Sequence, residues 1–368
     1  MVKSVGLDRS LLIIALILVL FGLIMVYSST MIVAKERQGD SFYFFKRQVI
    51  WLAVGLLIFF TLSYSPYPVY MNPKAIFIFF GGVVVALFAV FFSSPINHTY
   101  RWIHAAGFSV QPSEFAKIAV VLYLASMCNR RNVDINQWRS LALILLPVGI
   151  VLGLVLREPD FGSFVLILFI VLMMLFIAGL NWRFFLLAAL SLAPLTVLLV
   201  RQNPLRMSRI VSFLNPEAYA NTTSFQALQS IYAVGSGGLF GQGLGNSTQK
   251  LFFLPYAYTD FIFAIICEEL GLIGALTVVA LFCIFYVRGI AVAKQSDTPH
   301  TYLLVVGLTL LVFSQALINI SVAIGLFPTK GISLPFISSG GTSLVSSLLA
   351  TAIILNVSKH RKGVFLND

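Results

Sequence analysis

The sequence predicts an all-α integral membrane protein of about ten transmembrane helices with one long extracytoplasmic loop between helices seven and eight. Three observations predict it. Hydrophobic residues fill 59% of 368 positions, charged residues only 10%, and mean hydropathy is +0.96, whereas an average soluble domain carries about 25% charge. The apolar residues fall in runs of roughly 17 to 25, the length that crosses a bilayer as a helix. No polar block is long enough to build a soluble domain, so residues 1–368 read as a single polytopic domain.

The spans follow in order at roughly 11–29, 48–64, 75–93, 113–128, 141–156, 160–178, 182–200, 259–287, 301–326 and 335–357. Lys3 and Arg9 ahead of the first run resemble a signal peptide, but no small-residue cleavage pattern follows, so the first span is expected to stay. An even number of spans puts both termini on one side. With the termini inside, the inner segments hold twelve cations: Lys3, Arg9, Lys74, Arg130, Arg131, Arg139, Arg183, Arg288, Lys294, Lys359, Arg361 and Lys362. The short outer loops hold seven: Lys35, Arg37, Lys46, Arg47, Arg101, Arg157 and Lys330. The positive-inside rule therefore favours cytoplasmic termini. The net charge of +11 fits lipid headgroups and topology; no basic, aromatic-interleaved surface suggests nucleic acid. Cys128, Cys267 and Cys283 are scattered in or beside apolar runs, which supports neither a disulfide framework nor a CxxC metal site.

Residues 201–258 form the long outer loop. PLRMSRIVSFLNPE (204–217) reads as a basic amphipathic segment in the headgroup region. SFQALQSIYAV (224–234) puts Phe225, Leu228, Ile231 and Tyr232 on one stripe, a second short helix packed on the membrane face. GSGGLFGQGLGNSTQK (235–250) lacks the spacing and the strand-turn-helix setting of a dinucleotide fingerprint. It reads either as a bent glycine-rich connection or as backbone lining a substrate site.

Charge in and beside the spans carries the functional signal, because a carboxylate at mid-bilayer costs roughly 2.5 to 3.5 kcal/mol by insertion scales and needs a partner. Asp260 stands at the outer end of the eighth span, where a helix N-terminus could satisfy it. Glu268 and Glu269 lie about 12 Å deeper. They point about 100° apart, so they are expected to have different structural partners. On the same face QPSEFAK (111–117) brings Glu114 and Lys117 at i, i+3 spacing; RWIHAAG (101–107), REPDFG (157–162) and PTKG (328–331) add Arg101, Arg157, Asp160 and Lys330. Carboxylates and cations from four outer connections read as a substrate path or reaction centre. GxSxG, HExxH and Walker motifs are lacking, and His98, His104, His300 and His360 are dispersed. An interfacial carboxylate among cations suits a general base for a sugar hydroxyl, with cations or a divalent metal stabilising a departing phosphate. It equally suits a transporter or flippase that binds a headgroup.

At these residues the chain resembles the SEDS family of bacterial peptidoglycan glycosyltransferases. MVYSS (25–29), RWI with QPSEFAK (101–117), REPDFGS (157–163), SGGLFGQGLGNSTQKLFFLP (236–255), TDFIFAIICEELG (259–271) and PTKGISLPFISSGGTS (328–343) match in order over nearly the whole chain. GLGNSTQK and PTKG resemble the division branch, FtsW, more than the elongation branch, RodA. The resemblance implies ten spans and polymerisation of lipid II on the outer face of the cytoplasmic membrane, at the division septum. It implies partnership with a class B penicillin-binding protein and other divisome membrane proteins. Asp260 is then the catalytic aspartate; Arg101, Lys117, Lys330 and Arg157 are the candidate pyrophosphate contacts, with Glu114 and Asp160 holding the cations or a metal (magnesium or manganese) in place.

The chain departs from the family pattern at three positions. LPYAYTDF replaces the usual LPEAHTDF, so Tyr256 and Tyr258 stand for a carboxylate and a histidine, and SSGG replaces SYGG at Ser339. Roles tied to those side chains do not transfer. A lipid II flippase and a division scaffold are the competing functions. Sequons at Asn97, Asn221, Asn246, Asn319 and Asn356 carry no weight in a bacterial protein.

Overall fold

The structure is a computed structural model that describes residues 6–65, 71–93, 100–105, 108–130, 133–202, 204–220, 222–251 and 253–359. Lys3, Arg131, Arg361, Lys362, His98, His360, Asn97 and Asn221 lie outside the described residues.

Each expected span corresponds to a helix. They are α1 (Arg9–Gln38), α2 (Tyr43–Tyr64), α3 (Pro73–Ala89), α4 (Pro112–Cys128), α5 (Trp138–Arg157), α6 (Phe161–Ile177), α7 (Trp182–Arg201), α10 (Ile262–Lys294), α11 (Pro299–Ala323) and α12 (Gly341–Ser358). Two further helices, α8 (Pro204–Leu214) and α9 (Phe225–Ser236), fill the long loop where amphipathic segments are expected. Among the described residues, seven helices are long and apolar enough to cross a membrane, and α6 is a shorter apolar one. A small antiparallel hairpin, β1 (Ile103–Ala105) and β2 (Phe108–Val110), precedes α4, pairing Ile103 with Val110.

Local chemistry sets the helix ends. Asp8 caps α1 by accepting from Leu11 N, and Gly39 in the left-handed region closes it after Lys35 and Arg37. These two cations, expected in a loop, thus sit in the last turn of a 30-residue helix. At 1.5 Å per residue that helix is about 45 Å long, more than the roughly 30 Å hydrocarbon thickness. Asn72 and Asn181 cap α3 and α7, Asp160 caps α6, and a Thr298–Thr301 capping box opens α11.

The buried helices α4, α11 and α12 form the middle of the bundle, within one contiguous apolar cluster. Helix α12 packs along α2, and α11 along α10. Small residues make these approaches possible, as in membrane bundles generally. Gly22 of α1 lies against the backbone of Phe336 and Ile337, where a methyl would stand 2.5 Å from a carbonyl oxygen. Helix α9 follows the same rule: its packed face is Ser230, Ala233 and the following Gly237, while Ile231 and Tyr232 are exposed.

The largest departure from the sequence-based expectation is in α10. It breaks at Gly271, with φ 66 and ψ −165, and the glycine-rich loop docks into the break. Gln242 N and Gly243 N donate to the carbonyls of Glu268 and Glu269, and Leu272 N and Ile273 N donate to those of Gly238 and Leu239. Two carbonyls before the break and two N–H groups after it thus find partners on the loop. Non-helical backbone survives at this depth only where protein supplies its hydrogen bonds.

Candidate active site

Asp260 stands outside α10, in a turn closed on the Tyr256 carbonyl by Thr259 N at 3.1 Å and Asp260 N at 3.2 Å. Tyr256 adopts φ 58 to make that turn. The turn is sewn to residues 330–340 and to α11: Ser339 N donates to Tyr258 O at 2.9 Å, Ser338 Oγ to Thr259 O at 2.6 Å, and Asn319 Nδ2 of α11 to Asp260 O at 2.8 Å. The Ser339 and Tyr258 departures thus meet through backbone.

Among the described residues no hydrogen bond reaches the Asp260 carboxylate. Its neighbour is the Cα of Gly331, where a methyl would stand 3.2 Å from Oδ2. Burial pushes its pKa up to about 7; Arg101 and Arg209 pull it down, and Asp160 pushes it further up. That combination leaves a carboxylate basic enough to accept a proton near neutrality.

The other candidates divide into those the fold brings towards Asp260 and those it uses elsewhere. Lys330, next to Gly331, holds its Nζ 5.2 Å from the Phe161 ring centroid, and burial lowers its pKa. Arg101 donates through its guanidinium to the Glu158 and Pro159 carbonyls. Asp160 is buried: Oδ1 accepts from Ser163 N at 3.2 Å, and Oδ2 from Ser113 Oγ and Gln111 Nε2, each at 3.1 Å. It joins the starts of α4 and α6. Arg157 is exposed at the end of α5, its guanidinium 5.7 Å from the Phe91 ring centroid. Glu114 and Lys117 are brought to each other, 2.8 Å apart in the bundle interior, with Ser346 donating to Glu114 and Lys117 donating to Gln315. Their side chains are 7% and 3% exposed, so they do not present themselves to a headgroup.

These contacts also test the expected metal. Among the described residues no three His, Cys, Asp or Glu side chains come together as a metal cage. Hydrogen bonds occupy Asp160, and Lys117 and Ser346 occupy Glu114. As paired here, Glu114 and Asp160 are not free to hold a divalent ion.

Glu268 and Glu269 have separate partners, as their angular separation predicts. Glu268 accepts from Ser247 Oγ, Thr248 N, Thr248 Oγ1 and Gln249 N. Glu269 pairs with Lys250 Nζ at 2.7 Å and lies 2.6 Å from Ser28 Oγ of α1. Both carboxylates therefore anchor the glycine-rich loop. It is neither a simple connection nor a shown substrate lining.

Sequence reasoning did not single out Glu158, Arg209, Gln315 or Asn319. Glu158 is fully buried at the end of α5 with no partner for either oxygen among the described residues, and burial followed by Asp160 pushes it up to about 9. It sits two residues from Asp160, and the sequence offers no way to say which carboxyl finds donors. Arg209 of α8 adds its positive field at Asp260. Gln315 and Asn319 did carry a signal: two amides in an apolar span need partners for the same reason as Glu268.

A bundle of this form, with one buried-edge aspartate among cations, defines a class of polytopic membrane proteins, and the family model described as cell cycle protein (FtsW, RodA and SpoVE) matches residues 8–363. The chain belongs to that family. It is 37% identical to the probable peptidoglycan glycosyltransferase FtsW of Thiomicrospira cyclica, covering 96% of this chain and 92% of the relative. It is also 37% identical to stage V sporulation protein E of Bacillus subtilis, covering 98% and 99%. Among solved structures it is similar to a chain from a study of how a peptidoglycan synthase complex coordinates polymerization and crosslinking, with TM-score 0.77, 25% identity and coverage of 96% and 98%. The rod shape determining protein RodA of Thermus thermophilus gives TM-score 0.71 at 25% identity, covering 98% and 99%.

Proposed function

We propose that the chain is a division-type peptidoglycan glycosyltransferase that polymerises lipid II, with Asp260 as general base. The observation that carries this reading is the Asp260 carboxylate: without a hydrogen bond among the described residues, fixed by its turn against Gly331 and shifted up to about 7 in the field of Arg101 and Arg209. Asp260 takes the proton of the acceptor GlcNAc 4-hydroxyl as that oxygen bonds to the anomeric carbon of the terminal MurNAc. The anomeric bond to undecaprenyl pyrophosphate breaks on the opposite side, so an α-linked donor becomes a β-1,4 link. Arg101 and Lys330 meet the charge that develops on the pyrophosphate, and Arg157 stands at the end of α5 where a headgroup can approach. No step needs a protein-held metal.

In this reading the Asp260 end faces outward, both termini are cytoplasmic, and the protein works at the septum with a class B penicillin-binding protein that cross-links its strands. The FtsW relatives and the synthase-complex neighbour support it. The test is lipid II polymerisation by purified protein with its transpeptidase, comparing wild type with Asp260→Asn after both are shown to be folded and to bind the partner equally. Strands from wild type alone support the assignment. Strands from both remove Asp260 as base, and lipid II crossing vesicle bilayers without strands from either replaces the polymerase by a flippase.

A further inference from the structure

Gln315 and Asn319 stand one turn apart on a single face of α11, as i, i+4 residues do. Both are buried. Gln315 Nε2 donates to the Ser333 carbonyl at 3.0 Å, and Asn319 Nδ2 donates to the Ile332 carbonyl at 2.7 Å. Consecutive carbonyls of the Lys330 loop are thus gripped by consecutive turns of one helix. The second grip is shared, because Asn319 Nδ2 also donates to the Asp260 carbonyl at 2.8 Å. Both of its amide protons are spent, one on the loop that carries Lys330 and one on the turn that carries the base.

Two details argue against ordinary core filling. Asn319 Oδ1 is buried with no partner among the described residues, so the residue keeps a costly unsatisfied acceptor that an apolar side chain would avoid. Gln315 Oε1 accepts from Lys117 Nζ at 2.7 Å. An ammonium has no acceptor, so this contact fixes which end of the amide faces Ser333. The Lys117 charge, held by Glu114, in this way determines the orientation of a group that holds the reactive loop.

We infer that Gln315 and Asn319 are positioning residues for Asp260 and the Lys330 loop, and that Lys117 acts on the chemistry through Gln315 without touching substrate. The inference rests on the polymerase reading for what is positioned. Its structural content is independent: removing the Asn319 donor removes the tie at Asp260 itself and leaves those at Tyr258 and Thr259.

The experiment uses the full-length protein in nanodiscs with its transpeptidase, and lipid II as substrate. The variants are Asn319→Ala, the isosteric Asn319→Asp, and Gln315→Glu, which keeps a partner for Lys117 but loses the donor to Ser333. Two readouts are taken: kcat and KM, and the pH dependence of carbodiimide labelling at Asp260, located by peptide mass spectrometry. A misplaced base is expected to lower kcat by about 10- to 100-fold, with KM within about threefold. The Asp260 labelling midpoint is expected to shift from that of wild type: down in Asn319→Ala as the turn loosens, and up in Asn319→Asp, where a second carboxylate stands beside the turn. Should Asn319→Ala fail to fold, Asn319→Asp decides. Unchanged kcat and unchanged midpoint overturn the inference, as does a raised KM at unchanged kcat. Wild type that makes no glycan overturns the polymerase reading alone, and the labelling midpoint then judges the positioning.

Discussion

Burial raises the Asp260 pKa to about 7, so its carboxyl titrates near neutrality. The base form is required for proton abstraction, so kcat is expected to rise with pH through about 7 and level off above it. A pH profile of polymerisation, with substrate saturating at each point, checks this. An acid limb near the ordinary carboxylate range, around 4, would mean that Asp260 is far better solvated in the working enzyme. Asp260 was legible in the sequence because a charge at a span end is rare and costly. Asn319 was less so, since its meaning lies in two carbonyls, one 59 residues away in sequence. Glu158 was not legible: its burial depends on how the end of α5 meets the segment ahead of β1 that carries Arg101.

Helix α10 shows what an element adds to its residues. Its first nine residues, ahead of Gly271, are held by the loop as much as by their own hydrogen bonds. The Lys250–Glu269 pair, 2% and 0% exposed, is the charged part of that hold. Breaking one partner of a buried pair leaves the other charge uncompensated, at a cost of about 3 to 5 kcal/mol. Lys250→Met is expected to lower thermal stability accordingly, while Lys250→Met with Glu269→Met recovers much of the loss. Equal destabilisation by the single and double variants would show that apolar packing, and not charge pairing, limits the loop. The runs of apolar residues that define spans are local signals and were read within a few residues. The break in α10 was not, because Gly271 in a helical pattern looks like a tolerated glycine until the loop that replaces its hydrogen bonds is in place.

For the whole molecule, the fixed end opposite Asp260 complements the reactive one. Asp8, which caps α1, also pairs with Arg288 of α10 at 2.7 Å and donates its backbone N–H to Ser358 Oγ of α12. Asn356 donates to the carbonyls of Leu62, Ser63 and Ser65, tying α12 to the end of α2. Topology makes a sharp prediction here. With the native cysteines replaced, a membrane-impermeant maleimide applied to intact spheroplasts is expected to label Lys35→Cys and Phe253→Cys but not Asp297→Cys. All three positions are exposed, so the reverse pattern would invert the orientation and place Asp260 on the cytoplasmic side.

The docking of the glycine-rich loop into the α10 break also bears on how relatives can be recombined. Residues from about 236 to 273 share backbone hydrogen bonds across more than thirty positions, so they form one structural unit. Chimeras of two family members joined just outside this segment are expected to reach the membrane folded, by fluorescence-detected size exclusion. Those joined between Lys250 and Glu268 mismatch both carboxylate anchors, and are expected to elute as aggregates.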